Sequence, residues 1–270
     1  MKIGFIGDIV GKPGRKMVIK HLKEIKEKEK LDFIIANYEN ASHGFGITEK
    51  NAKELFRLGI DIMTGGNHTW DKKEIFALLE SMPLLRPINY PKGVPGKGLE
   101  IVEIDGEKLA IINLMGHFTM PMVDNPFIKI KNVVEDLKNN RIKNIFIDMH
   151  AEATSEKRAL LMMLKGEVSA IAGTHTHIGT DDLQIFDGVG YVTDVGLTGC
   201  RDNVIGMKED VPIKKFLTGL PGRYDIPDKC KKILQMVVFD INEGKCNDAY
   251  KIKAYDEEEY FISQKAFIEK

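Results

Sequence analysis

Lys2-Ile3-Gly4-Phe5-Ile6-Gly7-Asp8 is the stretch on which the reading of the fold turns. Its apolar run over 3–6 has the length of a buried strand, and Gly7 stops it. An aspartate follows at once. The same grammar recurs downstream. The run 33–36 ends before Asn37-Tyr38-Glu39-Asn40, and 60–63 ends before Gly65-Gly66-Asn67-His68. The run 144–148 leads to His150, and 168–172 leads to Gly173-Thr174-His175-Thr176-His177. In open α/β sheets functional groups gather at the carboxyl ends of strands. Asp8, Glu39, Asn40, Asn67, His68, His150, His175 and His177 are therefore expected on one rim.

Helices are expected between these strands. One runs over 15–30 with apolar positions at Met17, Val18, Leu22 and Ile25. Another starts at Thr48, with Asn51 three residues on as a weak cap signal. Asp71 is expected to cap a third, ending near Glu80, and two more fall at 129–139 and 155–165. The proline- and glycine-rich stretch 82–98 reads as a long loop. Asp105-Gly106 between the runs 99–104 and 108–114 is a hairpin signal. Later strands are expected at 183–186, 190–193, 235–241 and 249–254, and the acidic run 256–259 reads as a solvated surface segment. The early half alternates strand and helix and the later half is richer in strands. The fold class is thus α/β, with a mixed sheet or two packed sheets and helices outside. At 270 residues and 43% apolar content the chain can bury a substantial core, and the lack of a linker or repeat predicts one domain over 1–270.

The charge balance narrows the partners. Lysine plus arginine is 39 and aspartate plus glutamate 40, a net charge of −1. That argues against holding long nucleic acid by bulk charge, but suits a small phosphorylated substrate gripped by metal and a few local cations. Residues 2–6 run straight into a strand, so no secretory leader is expected. The apolar runs are too short to span a bilayer. Cys200, Cys230 and Cys246 are odd in number and not spaced as a zinc knuckle or redox pair, so reduced thiols in a cytoplasm are expected.

Carboxylates, imidazoles and amide oxygens together form a mixed oxygen and nitrogen shell. It suits Mn, Fe, Zn, Co or Ni better than calcium. Six or seven ligands are too many for one tetrahedral ion, and fit two ions about 3.5–4 Å apart that share a carboxylate. Singly, the residues carry less. Asp8 alone reads as a turn or helix cap, Glu39-Asn40 alone as a turn, and His150 alone as a partly buried, hydrogen-bonded histidine. On a regular strand the rings of His175 and His177 would point to opposite faces, so they serve one centre only from a loop.

Gly7-Asp8, Gly66-Asn67-His68, His150 and Gly173-Thr174-His175-Thr176-His177 resemble the calcineurin-like metallophosphoesterases. Val10, Glu39 and Thr69 depart from the common pattern of that superfamily, and these departures match its YmdB-like branch. The likeness includes Phe5-Ile6-Gly7-Asp8-Ile9-Val10-Gly11, Glu39-Asn40-Ala41, Gly66-Asn67-His68-Thr69-Trp70-Asp71, Asn89-Tyr90-Pro91, Pro95-Gly96-Lys97-Gly98, Glu152-Ala153-Thr154-Ser155-Glu156-Lys157 and Thr193-Asp194-Val195-Gly196. The resemblance implies a four-layer α/β/β/α sandwich with mixed sheets, and two divalent or trivalent transition-metal ions, usually iron or manganese. Asp8, Glu39, Asn40 and His177 would hold one ion, and Glu39 would bridge to another held by Asn67, His150 and His175. It also implies a 2′,3′-cyclic-nucleotide 2′-phosphodiesterase that releases 3′-nucleotides by in-line attack of a metal-bridging hydroxide. Homo-oligomers are common for such enzymes. Tyr38, His117 and Cys200-Arg201 stand where relatives often have glycine, arginine and a Pro-aromatic pair.

Beside Asn67, His68 is the expected general acid. His43 reads as an exposed loop residue, His21 as surface, His117 as undecided between site and surface, and Asp194 as either a partner of a ligand histidine or a turn residue. Trp70 and Phe45 read as core or as base-stacking aromatics. Gly7-x-x-x-Gly11-Lys12 is one residue short of a P-loop, and Pro13 stands where Ser or Thr must bind magnesium. Two alternatives stay open: a phosphomonoesterase or RNA-end nuclease, and a non-catalytic, metal-containing regulator of RNA processing.

Overall fold

Side-chain alternation along the first strand sets the layers. In β1 (Lys2–Ile6), Ile3 and Phe5 enter one core and Ile6 another, as a period of two requires. The computed structural model describes residues 1–256 and 258–269. After β1 come α1 (Gly11–Glu29), β2 (Phe33–Asn37), α2 (Glu49–Arg57), β3 (Ile62–Thr64), α3 (Ile75–Ser81), β4 (Leu84–Leu85), β5 (Leu99–Ile104), β6 (Glu107–Met115), α4 (Pro126–Asn139), β7 (Asn144–His150), α5 (Thr154–Leu164) and β8 (Ala170–Thr174). The remainder is strand-rich: β9 (Gln184–Phe186), β10 (Val189–Val192), β11 (Gly199–Cys200), α6 (Asp210–Thr218), β12 (Lys232–Asn242), β13 (Lys245–Tyr255), β14 (Phe261–Lys265) and β15 (Phe267–Glu269).

One sheet has the order β14-β13-β12-β1-β2-β3-β4, with β11 beside β12, and the other has the order β15-β9-β10-β8-β7-β6-β5. Both are mixed. β1 to β4 are parallel and β12 is antiparallel to β1. β6, β7, β8 and β10 are parallel, while β5 and β9 run against their neighbours β6 and β10. Phe5, Ile35, Leu109, Ile111, Phe146 and Phe239 fill the space between the sheets, where Phe5 meets Phe146 edge-on at 5.0 Å. The outer face of the first sheet is covered by apolar side chains of α1, α2 and α3, and that of the second by those of α4 and α5. The result is the expected α/β/β/α layering.

Several local expectations are corrected. α1 begins at Gly11 rather than at 15, because Pro13 in a first turn lacks an N–H that would find no partner there anyway. Asp71 caps no helix. It closes the 3₁₀ turn Thr69–Asp71, and its carboxylate accepts from His68 Nδ1 at 2.9 Å. Asn51 donates to Ser42 Oγ at 2.6 Å instead of capping with Thr48. His21 is buried, since it lies four residues from both Met17 and Ile25 and shares their inner face. The three cysteines are not all thiols: Cys200 and Cys230 form a disulfide, while Cys246 is free and buried. Pairing of Cys200 with Lys232 across β11 and β12 brings these distant positions together. In the acidic run, Glu258 and Glu259 are exposed, Asp256 binds Lys232 at 3.0 Å, and Glu257 lies outside the described residues. Among the described residues no helix is long and apolar enough to cross a membrane.

Candidate metal centre

Five strands end at one rim, three from the first sheet and two from the second. Asp8 follows β1, Glu39 and Asn40 follow β2, Asn67 follows β3, His150 ends β7, and His175 and His177 follow β8. Asp8, Glu39, Asn40, His150 and His177 are all buried. Ligand atoms of Glu39, His150 and His175 lie within 4.8 Å of one another. His150 Nε2 is 3.0 Å from Glu39 Oε1, 2.9 Å from Asn67 Oδ1 and 3.1 Å from His175 Nδ1. A neighbouring group forms where His177 Nε2 lies 3.2 Å from Asn40 Oδ1 and 3.8 Å from Asp8 Oδ1. The two groups are tied together by the His175 amide, which donates to both Asp8 carboxylate oxygens at 3.2 and 3.3 Å.

The question of how His175 and His177 face one centre has a backbone answer. β8 stops at Thr174, and His175 and His177 adopt φ of 94° and 66°. Non-glycine residues rarely occupy this region, and it costs about 1–3 kcal/mol each. The loop geometry replaces strand alternation and turns both rings inward.

Buried polar groups fix how the imidazoles point. Thr174 Oγ1 donates to Asp148 Oδ1 at 2.7 Å, so it accepts from His150 Nδ1 at 2.9 Å and leaves Nε2 facing the other ligands. Asp148 also accepts from Thr64 Oγ1 and Asn37 Nδ2, yet burial pushes its carboxyl up to about 6. His177 Nδ1 donates to the Ile205 carbonyl at 2.7 Å, which again directs Nε2 inward. Outer partners of this kind orient ligand histidines. Lys157, fully buried, donates to the Thr174 carbonyl and to Asp194 Oδ2, both at 2.8 Å. Asp194 Oδ2 accepts the Thr176 amide, so this pair clamps the loop carrying His175 and His177 from behind.

The electrostatics suit cation binding. Burial would raise the Glu39 carboxyl, but the charge of His150, with His68 and His175 beyond it, holds it at about 2. Burial works to lower His150, and the adjacent Glu39 lifts it to about 8. Burial and the charge of His150 push His175 down to about 3. Burial raises Asp8. An ionised Glu39 thus lies beside a protonated His150 and a neutral His175, and a cation there competes with the proton on His150. The donor set of carboxylate, imidazole and amide oxygens fits a transition-metal ion. Gly66 confirms how tightly the donors are drawn together, since a Cβ there would stand 2.0 Å from Glu39 Oε2 and 2.4 Å from His150 Nε2.

A cavity of about 350 Å³ opens over these groups and reaches His68, Glu152 and Phe45. His68 packs edge-on against Phe45 at 4.9 Å. Trp70, by contrast, is partly buried against the core of the first sheet and stacks on Phe76 at 5.5 Å. His43 is exposed and lines a neighbouring cavity with Lys12, Lys16 and Lys72, not the one over Glu39 and His175. His117 is exposed, and its Nε2 lies 3.1 Å from the Val123 carbonyl rather than in the site. Sequence reasoning assigned no role to Asp148, Thr174 or Lys157, and read Asp71 as a helix cap. A charged residue inside the apolar run of β7 was the available signal for Asp148.

Comparison with known proteins places this geometry. The model of the family described as YmdB-like protein matches residues 5–253. A Bacillus subtilis (strain 168) protein named 2′,3′-cyclic-nucleotide 2′-phosphodiesterase is 48% identical over 245 residues, 90% of this chain and 92% of that protein. A crystal structure described as a novel phosphatase from Mycoplasma pneumoniae superposes with a TM-score of 0.89 at 33% identity, covering 96% of this chain and 94% of that one. A 5′-nucleotidase precursor from Thermus thermophilus shares the fold alone, with a TM-score of 0.51 and 12% identity over 98% of this chain and 55% of its own.

Proposed function

The chain belongs to the YmdB-like family, and from that premise we propose that it is a metal-dependent phosphodiesterase that opens 2′,3′-cyclic nucleotides to 3′-nucleotides. The observation that carries the reading is the meeting of Glu39, His150 and His175 in the cavity that also holds His68. Asp8, Glu39, Asn40 and His177 would hold one ion, and Glu39, Asn67, His150 and His175 another, with iron or manganese as the metals. When bound, such ions supply Lewis acidity that offsets charge on the phosphate oxygens and lowers the pKa of water.

The protein's own groups do the rest. Asp148 and Thr174 hold His150 with Nε2 toward Glu39, Asn67 and His175, and Ile205 holds His177 with Nε2 toward Asn40 and Asp8. Asp71 accepts from His68 Nδ1 and offsets the charge of the doubly protonated ring. Water loses one proton to solvent as its oxygen bonds to phosphorus opposite the 2′ oxygen, the bond from phosphorus to that oxygen breaks, and His68 Nε2 gives the leaving oxygen a proton and regains one from solvent.

Purified protein supplied with manganese or iron should convert adenosine 2′,3′-cyclic phosphate to the 3′-nucleotide, read by chromatography against both isomeric standards. It should also turn over bis-p-nitrophenyl phosphate faster than p-nitrophenyl phosphate. Preference for the monoester would favour the phosphomonoesterase reading, and turnover of no ester would favour a metal-containing regulator. We take the cytoplasm as its compartment, which fractionation of native cells tests. The proposal concerns one catalytic domain, and sedimentation would decide whether it works as a homo-oligomer.

A further inference from the structure

The cavity over the metal centre has two chemically different walls. One consists of the ligand groups with Glu152 and His68. The other is apolar and is built from Phe45, Ile205, Met207, Pro212, Phe216 and Tyr224. All of the second wall except Phe45 comes from the segment between Cys200 and Cys230, whose disulfide closes that segment into a loop. The loop is fastened to the centre itself, because the Ile205 carbonyl accepts from His177 Nδ1 at 2.7 Å. Position and chemistry of this wall are therefore coupled to a ligand histidine. Phe216 stands at the mouth of the cavity and presents 86% of its surface to solvent.

We infer that this wall is the nucleobase subsite, and that it recognises a base by its flat apolar face without reading its edge. The inference rests on the phosphodiesterase reading above and deepens it. Once the cyclic phosphate lies against the ligand groups, the part of the substrate left to place is a ribose and a planar base. About 350 Å³ lies at the lower end of small-molecule sites and suits a mononucleotide. The apolar wall offers rings and thioether or aliphatic surface, and its one polar side-chain group is the Tyr224 hydroxyl. Stacking on such a surface tolerates any base, because every base has a π face. The four nucleoside 2′,3′-cyclic phosphates should then be comparable substrates, and a cyclic phosphodiester without a base should be a poor one.

The test compares uridine and adenosine 2′,3′-cyclic phosphates with glycerol 1,2-cyclic phosphate, in the parent and in F216A/Y224A. The ratio of kcat/KM for the nucleotides over the base-free ester should fall about tenfold or more in the double variant, through KM rather than kcat. Y224F, which keeps the ring, should retain the parent ratio. Phe216→Ala alone, at a residue this exposed, serves where the double variant does not fold, and should lower the ratio in the same direction. An unchanged ratio in variants that still hydrolyse both esters overturns the subsite alone, as does a preference of about a hundredfold for one base in the parent, which demands edge contacts. Failure of the parent to hydrolyse any of the three esters overturns the diesterase reading, and the subsite with it.

Discussion

The Lys157 ammonium lies 2.8 Å from Asp194 Oδ2, and both side chains are fully buried. The pair sits directly behind the ligand loop, since Lys157 also holds the Thr174 carbonyl and Asp194 the Thr176 amide. Removing one partner of a buried ion pair leaves an uncompensated charge and costs about 3–5 kcal/mol. Lys157→Met should therefore lower the unfolding free energy in urea by that much and also reduce metal content, because the loop carrying His175 and His177 loses its anchor. The double change Lys157→Met with Asp194→Asn should recover part of the stability. A lone Lys157→Met that unfolds at the parent midpoint would refute the role.

At the cavity, His68 donates from Nδ1 to the Asp71 carboxylate at 2.9 Å. As His68 is absent from the set of metal-side residues, His68→Ala should keep the metal while losing about 10²–10⁴-fold in kcat. Asp71→Asn should lose less, since it spoils the orientation and charge of the ring and leaves the proton donor in place. Metal analysis and turnover of a cyclic nucleotide, measured on the same preparations, separate the two effects. Parent-level turnover in His68→Ala contradicts the assignment.

The rim was legible because its signals are local: an apolar run, a stop, then a ligand-type residue. Asp8, Glu39, Asn67, His150 and His175 could be found that way, and the α/β/β/α layering followed from the alternation of runs. What stayed hidden depends on contacts across long sequence distances. Thr174 reaches Asp148 and His150 only because β7 and β8 are neighbours. Cys200 meets Cys230 through the pairing of β11 with β12. Asp71 looked like a helix cap because caps and histidine partners share the same residue type and spacing. α6 was not expected, although Ile213, Phe216 and Leu217 in it stand at helical spacing.

Gly66 supplies a steric test of the centre. Any Cβ there would fall within 2.4 Å of Glu39 and His150 atoms, in the space the ligands share. Gly66→Ala should abolish metal binding and activity, with a stability loss of about 1–3 kcal/mol from overpacking. Glu39→Ala should also lose its metals, because in the proposed ligand set that carboxylate is shared by both ions. Elemental analysis after gel filtration distinguishes these outcomes from mere loss of turnover. Full metal content in Glu39→Ala would exclude it as the shared ligand.

Lys251 offers a pH signature away from the rim. It is buried and donates to the Thr180 carbonyl at 2.9 Å. Burial, with Lys253 nearby, lowers its pKa from 10.5 to about 8. The folded chain thus releases this proton near pH 8, while the unfolded chain keeps it up to about 10.5. Between those values the unfolded state binds more protons, so the contribution of Lys251 to stability rises with pH. Other groups also titrate in this range, and Cys246, raised to about 12 by burial, acts in the opposite sense. The comparison must therefore be a difference between the parent and Lys251→Met, in which those groups cancel. Stability of the parent relative to the variant should be flat below pH 8 and climb above it, measured by urea unfolding at about pH 7 and about pH 9.5. A difference that stays constant or falls over that interval would show that Lys251 keeps its proton in the folded chain.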